Sequence, residues 1–235
     1  DNAKIKFRFP PAPRTGKVIF DAKGLGKSFN ELNVFKGLEF MMARRDKVAF
    51  VGKNGAGKTT LTRILLDLES HDGELIKGHN VDIGYYAQNQ AEELDGKITV
   101  LQTLEAEVTI ESKVNLRSML GSFLFSGEDV DKKVSVLSGG EKARLALCKL
   151  LLHPYNVLIL DEPTNHLDLK SKTVLKDALE NFDGSLIVVS HDRDFLSGLT
   201  EFVYEVTPTG LRQYIGDIKI FLHAKHAESI GAYEA

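Results

Sequence analysis

The segment at residues 52–59, Gly-Lys-Asn-Gly-Ala-Gly-Lys-Thr, fits the pattern Gly-x-x-x-x-Gly-Lys-Thr in full. An apolar run at residues 47–51 precedes it, and residues 61–68 after it have helical spacing. Because glycines have no Cβ, the backbone can curl until successive N–H groups point at phosphate oxygens, beside the positive end of the helix dipole. This context favours a strand, a phosphate-binding loop and a helix over an ordinary glycine-rich turn. The residues expected to contact a nucleotide are Gly52, Asn54, Gly55, Ala56, Gly57, Lys58, Thr59 and Thr60.

Two side chains of this loop and two carboxylates from a distant strand predict a magnesium nucleotide site. Lys58 supplies a mobile positive charge for the β- and γ-phosphates, and the Thr59 hydroxyl is a Mg²⁺ ligand. Residues 157–160 are apolar and end in Asp161 and Glu162, at the edge where open α/β sheets bind their ligands. Asp161 suits Mg²⁺, directly or through water, and Glu162 suits the water that attacks the γ-phosphate. The alternative is a plain acidic pair on the surface.

The composition of the 235 residues is typical of a globular protein, with 43% hydrophobic and 27% charged residues. Because 30 basic and 33 acidic residues give a net charge of −3, a general polyanion-coating protein is excluded, although a local basic contact is not. No apolar run approaches the roughly 18 residues of a membrane span, and we expect a protein of the cytoplasm without a signal peptide. The single cysteine, Cys148, is expected to be a buried core residue rather than a catalytic thiol.

Apolar runs and helical segments alternate along the chain, which predicts an α/β fold with a mostly parallel core sheet. Buried strands are expected at residues 157–160 and 186–189. Short strands are expected early in the chain, broken by Gly24, Gly26 and Gly37. The remaining expected elements are strands at residues 18–20, 38–40, 201–206 and 211–214, and helices at 102–125, 141–152, 169–182 and 218–235.

The beginning of the chain has the composition of an arm or linker. Residues 1–16 alternate basic and apolar side chains and then become proline-rich, with Pro10, Pro11 and Pro13. Proline lacks the backbone N–H that a helix requires, so an extended conformation is expected. The segment is interpreted as a solvated linker, and the alternative is a basic arm that touches a phosphate backbone.

Further short motifs occur in a fixed order along the chain. They are Tyr-Tyr-Ala at residues 85–87 followed by Gln88, Leu-Ser-Gly-Gly-Glu at 137–141, Asp-Glu-Pro-Thr at 161–164, Asn-His-Leu-Asp at 165–168 and Ser-His-Asp at 190–192. Together with the phosphate loop, they resemble the Q-loop, signature motif, Walker B motif, D-loop and switch histidine of the ATP-binding cassette (ABC) ATPases. The resemblance covers most of residues 17–214. It implies a P-loop NTPase cassette of the ABC type, with an antiparallel β subdomain and an inserted helical subdomain.

The form of three of these motifs resembles the ABC-F subfamily. They are Asn-His-Leu-Asp, Ser-His-Asp-Arg-Asp-Phe-Leu at residues 190–196 and Tyr-Ile-Gly-Asp at 214–217. Members of that subfamily have no membrane domain, carry two cassettes joined by a helical linker and act on the ribosome in translation. The resemblance implies the second, C-terminal cassette of such a protein. Its expected parts are the end of the inter-cassette linker at 1–16, the cassette at 17–216 with its helical subdomain at about 97–153, and a C-terminal helix at 217–235.

The resemblance also implies roles that need a second cassette, because the family binds ATP between two cassettes arranged head to tail. Ser138, Gly139 and Gly140 are implied to bind the γ-phosphate of a nucleotide held by the partner. The simpler interpretation of Ser138 is a helix N-cap, and both interpretations can hold together. Asp168 is implied to act across the seam between the cassettes.

Other roles are implied at the chain's own nucleotide. His191 is expected to donate a hydrogen bond to the γ-phosphate, and Gln88 to touch Mg²⁺ or the attacking water. Phe29 is the candidate for stacking on adenine, with Phe35 as the fallback and a core role for Phe29 as the alternative.

The implied function is ATP binding and hydrolysis by an ABC-F cassette, in a translation factor or an antibiotic-protection ATPase. The implied cofactors are ATP and Mg²⁺, and the implied partners are a second cassette and the ribosome or its RNA. An isolated cassette is expected to be a weak ATPase, because the opposing signature motif is missing. The alternatives are the ATPase subunit of an ABC membrane transporter and a degenerate nucleotide sensor, which the presence of Lys58, Glu162 and His191 disfavours.

Overall fold

A six-stranded sheet lies at the centre of the computed structural model, which describes residues 7–108 and 115–234 apart from the side chain of Gln88. The strands of these residues are β1 (Val18–Phe29), β2 (Leu32–Ala43), β3 (Lys47–Val51), β4 (Asp72–Lys77), β5 (Ile83–Tyr86), β6 (Val157–Asp161), β7 (Ser185–Val189), β8 (Phe202–Thr207) and β9 (Gly210–Ile215). The central sheet has the order β5-β6-β7-β3-β8-β9. Every neighbouring pair in it is parallel except β8 and β9. The predicted α/β fold with a mostly parallel sheet is confirmed.

The α-helices of the described residues are α1 (Lys58–Leu65), α2 (Val100–Glu105), α3 (Leu116–Ser122), α4 (Gly139–Leu152), α5 (Leu169–Glu180), α6 (Arg193–Leu196), α7 (Ile218–Ala224) and α8 (Ile230–Glu234). The region expected to form one helix at 102–125 instead contains α2 and α3. Each has its own N-cap, because the side chain of Thr99 accepts from Gln102 N and that of Asn115 accepts from Ser118 N. Residues 109–114 of that prediction lie outside the described residues.

Strand β3 separates two hydrophobic cores, because successive side chains of a strand point to opposite faces of the sheet. Val48 and Phe50 belong to the core formed with α1, β1 and β2. Ala49 and Val51 belong to the other core, which α4, α5 and α7 complete. All four side chains are at most 1% exposed. The phosphate loop that follows Val51 therefore begins at a strand held on both faces.

An antiparallel sheet with the order β2-β1-β4 covers one of these cores. The prediction of short strands broken by Gly24, Gly26 and Gly37 is wrong, because β1 and β2 run through these positions and remain paired. Gly24 and Gly37 adopt φ values of 64° and 69°, and the register of β1 against β2 shifts between Ala22 and Leu25. Glycine tolerates positive φ, so it forms bulges here rather than ending the strands.

The arm at residues 7–16 has no helix or strand, as expected, but it is not solvated throughout. Phe7 is 8% exposed, and its ring centroid lies 5.3 Å from that of Phe123. Phe9 lies 5.0 Å from Phe182, whereas Arg8 between them is exposed. The two aromatic rings attach the arm to the larger core, because burying an aromatic side chain is strongly favourable. Residues 1–6 lie outside the described residues.

The last part of the chain forms two helices where one was expected. His226 adopts a φ of 52°, a left-handed conformation that ends a helix, and α8 starts four residues later at Ile230. Ala235 lies outside the described residues.

Cys148 is fully buried in α4, where burial raises the pKa of its thiol. Within the two described ranges, no helix is both long enough and apolar enough to cross a membrane.

Candidate functional site

The predicted phosphate loop connects β3 to α1 and is shaped by two glycines. Gly57 has a φ of 100°, and a Cβ there would lie 2.6 Å from Val34 Cγ1. A Cβ on Gly52 would lie 2.8 Å from the carbonyl oxygen of Val206, on β8. Neither position accepts a larger residue without displacing its neighbours. Helix α1 starts after Gly57 with no side-chain cap, so its first N–H groups are open to an anion. The loop fits the phosphates of a nucleotide.

Thr59 and Asp161 come together from α1 and the end of β6. Thr59 Oγ1 donates a hydrogen bond to Asp161 Oδ2 at 3.1 Å. A hydroxyl and a carboxylate are hard oxygen ligands of the kind that Mg²⁺ takes alongside waters and substrate phosphates. The two residues therefore fit the magnesium ion that the sequence predicts, between the phosphate loop and the acidic strand end.

Glu162 follows Asp161 in an unusual backbone conformation, with a φ of 49°. Its N–H donates to the carbonyl oxygen of Val189 at 2.7 Å, which fixes this turn against the end of β7. Its carboxylate then meets His191, with Oε1 3.0 Å from Nε2 of the ring and Oε2 accepting from the His191 N–H at 3.4 Å. A positive φ in a residue other than glycine is uncommon and costly. This turn directs the Glu162 carboxylate toward His191.

Burial raises the pKa of both carboxyls at this strand end. For Asp161, the hydrogen bond from Thr59 and the charge of Lys58 lower the pKa but do not cancel the effect of burial. For Glu162, the charge of His191 lowers the pKa, whereas the neighbouring charge of Asp161 adds to the effect of burial. The site thus holds two carboxyls that are less acidic than usual, and a cation would favour their charged forms.

A carboxylate that the sequence analysis did not single out lies in the same place. Glu234, in α8, has a side chain that is only 8% exposed. Its Oε1 lies 3.1 Å from Lys58 Nζ, and its Oε2 lies 3.0 Å from Nδ1 of His191. Lys58 Nζ also donates to the carbonyl oxygen of Gly52. Lys58 and His191, the two side chains predicted to hold the γ-phosphate, therefore share one carboxylate from α8.

The predicted signature residues cap a helix and are not bonded to this chain's own phosphate loop. Ser138 and Glu141 form a capping box at the start of α4, in which Ser138 Oγ accepts from Glu141 N at 3.2 Å and Glu141 Oε1 accepts from Ser138 N at 3.1 Å. A Cβ on Gly140 would lie 2.8 Å from the carbonyl oxygen of His166, whereas Gly139 has nothing near its Cβ position. The N-cap interpretation of Ser138 is correct.

Asp168 is exposed and serves as the N-cap of α5. Its Oδ1 accepts from Ser171 N at 2.8 Å, and the hydrogen bonds from Ser171 lower the pKa of its carboxyl. No contact in the described part of the chain joins it to the phosphate loop.

Gln88 begins a 3-10 turn just after β5, but its side chain lies outside the described part of the structure.

The two candidate adenine-stacking residues are placed differently. Phe29, at the end of β1, is 44% exposed, and the Lys27 ammonium lies 4.8 Å from its ring centroid. Phe35 is fully buried, and its Cδ1 lies 2.9 Å from the position that a Cβ on Gly57 would take. The fallback prediction of Phe35 is wrong, because its ring fills the core beneath the phosphate loop.

The contacts among the predicted residues form a network of two groups at one edge of the sheet. Thr59 pairs with Asp161, and Glu234 links Lys58 to His191, which also contacts Glu162. The loop residues Gly52, Asn54, Gly55, Ala56, Gly57 and Thr60 lie beside this network on the segment from β3 to α1. Phe29, Ser138, Gly139, Gly140 and Asp168 have no hydrogen bond or ion pair with the network among the described residues. Glu234 was missed because no motif surrounds it. The only nearby residues that could have indicated a packed segment around Glu234 are the apolar Ile230 and the aromatic Tyr233.

Comparison with known proteins gives matches along most of the chain. A family model described as "ABC transporter" matches residues 35–165. "ABC transporter F family member 2" from Arabidopsis thaliana is 41% identical over 222 residues, which are 93% of this chain and 33% of that protein. "ATP-binding protein Uup" from Caulobacter vibrioides is 40% identical over 194 residues, 80% of this chain and 32% of that protein. The chain thus spans about a third of the length of these curated relatives.

A solved structure titled "Structure of a bacterial Atm1-family ABC exporter with ATP bound" has a similar fold. Its TM-score is 0.74, and the match covers 95% of this chain and 43% of that chain. The sequence identity is 18%, so this likeness concerns the fold alone.

Proposed function

This chain belongs to the ABC transporter family as an ATP-binding cassette with ABC-F relatives, and from that premise we propose that it hydrolyses ATP at the phosphate loop, with Glu162 as the residue that activates water. The observation that carries the proposal is the contact network at the ends of β3, β6 and β7. There, Lys58, the Thr59–Asp161 pair and the Glu162–His191 pair converge on one edge of the sheet. Phosphoryl transfer needs positioned charges and a positioned water more than covalent chemistry, and this network provides the groups for both.

Each side chain of the network has one task in this proposal. The Lys58 ammonium and the open N–H groups of α1 bind the phosphates. Thr59 and Asp161 would hold Mg²⁺, which would supply positive charge to offset that of the phosphates. Glu162 orients the attacking water and accepts its proton at a carboxylate oxygen, and His191 donates a ring N–H to the γ-phosphate. Gln88 is assigned to the Mg²⁺ ion or the water, and Phe29 offers an exposed ring face to adenine.

The site is completed by a second cassette, in our proposal. Ser138, Gly139 and Gly140 present a helix N-terminus that contacts no phosphate loop within the described chain. Two large apolar side chains lie exposed beside the motifs assigned to the seam, since Val136 is 69% exposed and Leu169 is 80% exposed. Exposed apolar residues next to polar, anion-binding backbone are typical of a surface that is covered by a partner. A head-to-tail partner would place its own nucleotide against residues 138–140.

The isolated chain is therefore expected to hydrolyse ATP slowly, with a total rate that rises as the square of its concentration while dimers are rare. The reason is that each active site needs two chains. The measurement is phosphate release from saturating Mg-ATP across a hundredfold range of protein concentration. Leu169→Asp is the interface variant, because it places a charge in the proposed seam without touching the phosphate loop, and it is expected to lower the rate at high concentration. A rate that is linear in concentration, and the same in Leu169→Asp, would contradict the composite site.

The wider assignment concerns the protein to which this cassette belongs. We assign the 17–216 region to the second cassette of a twin-cassette ABC-F protein of the cytoplasm, with 97–153 as its helical subdomain, 1–16 as the end of the linker and 217–235 as a C-terminal element. The support is similarity to F-family members of which this chain spans about a third, together with the attachment of Phe7 and Phe9 to the core. The partner proposed for the whole protein is the ribosome.

The ribosome assignment predicts that the full-length protein carrying Glu162→Gln sediments with ribosomes in Mg-ATP and stays in the supernatant in ADP. The control is the same protein with Lys58→Ala added, which is expected to bind nucleotide much more weakly at this site and to remain in the supernatant in both. Sedimentation with the membrane fraction instead of ribosomes would favour the transporter alternative. Equal sedimentation in ATP and ADP would contradict a nucleotide-dependent ribosome switch.

A further inference from the structure

We propose that α8 is an intramolecular inhibitor, whose Glu234 carboxylate competes with the γ-phosphate of ATP for Lys58 and His191. The proposal rests on the proposed function, because it requires these two side chains to bind the triphosphate. It adds a way to close the nucleotide site with a segment of the same chain.

The contacts of Glu234 are those expected of a bound anion. One carboxylate oxygen faces the Lys58 ammonium at 3.1 Å, and the other faces Nδ1 of His191 at 3.0 Å. Carboxylate and phosphate oxygens accept charge-assisted hydrogen bonds from the same donors. The Glu234 side chain is 8% exposed, and a buried carboxylate is costly unless it is paired with donors or cations. A γ-phosphate and Glu234 would therefore compete for these donors.

The position of α8 is set by an anchor next to the phosphate loop. The Tyr233 hydroxyl donates to Glu205 Oε1 at 2.6 Å, and Lys225 Nζ lies 2.9 Å from Glu205 Oε2. The ring of Tyr233 packs edge-on against that of Phe221 at 5.0 Å, and Ile230 is 1% exposed. Glu205 belongs to β8, the strand that also contacts the phosphate loop through Val206. The anchor thus holds the residue next to Glu234 at a fixed place on the site's own sheet.

In this proposal, α8 stays in the site only while these anchoring contacts hold. Helix α8 has five residues and follows a break at His226, whose φ is 52°. A helix this short has little stability of its own and depends on tertiary contacts. While Glu234 is in place, His191 faces a carboxylate at each ring nitrogen, Glu162 at Nε2 and Glu234 at Nδ1. Release of α8 frees Nδ1 and the Lys58 ammonium for the nucleotide.

The first test is Glu234→Gln in the 235-residue chain, with calorimetric titration of Mg-ATP and Mg-ADP. The apparent affinity is proportional to the fraction of molecules that are open. If about 90% of the parent molecules are closed, the variant is expected to bind ATP about tenfold more tightly. The gain for ADP is expected to be smaller, because ADP has no γ-phosphate. Glu228→Gln is the matched control. It removes the same charge from an exposed position in the same segment, and its affinity is expected to match that of the parent.

The second test separates inhibition by α8 from the simple loss of a nearby negative charge. Tyr233→Phe keeps the Glu234 carboxylate but removes the hydroxyl that donates to Glu205, so it is expected to tighten ATP binding by a few-fold. In the parent chain, ATP is expected to speed hydrogen exchange at the α8 amides. Equal ATP affinity in the parent, Glu234→Gln and Tyr233→Phe, or an equal gain for ATP and ADP, overturns the inhibitor. Failure of the parent and of Glu234→Gln to bind either nucleotide overturns the proposed function and the inhibitor with it.

Discussion

Replacing Lys58 by alanine is expected to weaken Mg-ATP binding by about 100-fold, since the hydrogen bonding of a charged ammonium to phosphate contributes roughly 1.5–3 kcal/mol. The loop itself should keep its shape, because its bends depend on Gly52 and Gly57 and not on the lysine. The measurement is a calorimetric titration of Mg-ATP into the purified chain. The loss should appear as weaker ATP affinity and not as unfolding of the chain.

Lys53→Ala is the matched control for this prediction. Lys53 lies in the same loop, carries the same charge and is exposed, and no ion pair involves it in the described part of the chain. Its replacement is expected to change ATP affinity by no more than about twofold, as for a screened surface charge. Both substitutions are best repeated with Glu234→Gln, so that the inhibitory carboxylate does not obscure the loss. Equal affinity of Lys58→Ala and the parent in that background would refute the phosphate loop as the nucleotide site.

The parts of the site that sequence predicts well are those whose geometry is local. The phosphate loop joins a strand to a helix within a few residues, and its glycines are required by contacts that the backbone itself makes. Asp161 and Glu162 could be placed near it because both segments end at the carboxyl edge of a parallel sheet, where β3 and β6 are each paired with β7. Topology alone brings these distant residues together.

The parts that sequence reasoning missed depend on tertiary contacts without a local pattern. Phe29 and Phe35 are both aromatic residues near the first hairpin, yet one is 44% exposed and the other is fully buried. The difference comes from the register of β1 against β2, whose shifts at glycine bulges no periodicity reveals. Glu234 is harder still, because its position depends on the hydrogen bond from Tyr233 to Glu205, a residue 28 positions earlier in the chain.

Glu162→Gln is expected to lower the rate of ATP hydrolysis by about 10²–10⁴-fold while ATP binding is retained, because glutamine has the same shape but cannot accept the proton of the attacking water. The fold around it should be preserved, since the turn is held by the backbone hydrogen bond to Val189 and an amide oxygen can still accept from His191. The measurements are single-turnover hydrolysis and the size of the complex in ATP. Because ATP is not consumed, a stable dimer is expected.

The pH dependence of the rate provides an independent check on this role. Burial raises the pKa of Glu162, so its carboxylate becomes protonated at a higher pH than an ordinary glutamate. Since the proposed base must be charged, the rate of the parent chain should fall as the pH is lowered through that raised pKa, and Glu162→Gln should lack this fall. Glu180→Gln, at an exposed position at the end of α5, is the control and should behave as the parent. Another group must activate the water if the hydrolysis rate of Glu162→Gln is within about threefold of that of the parent and falls in the same way at low pH.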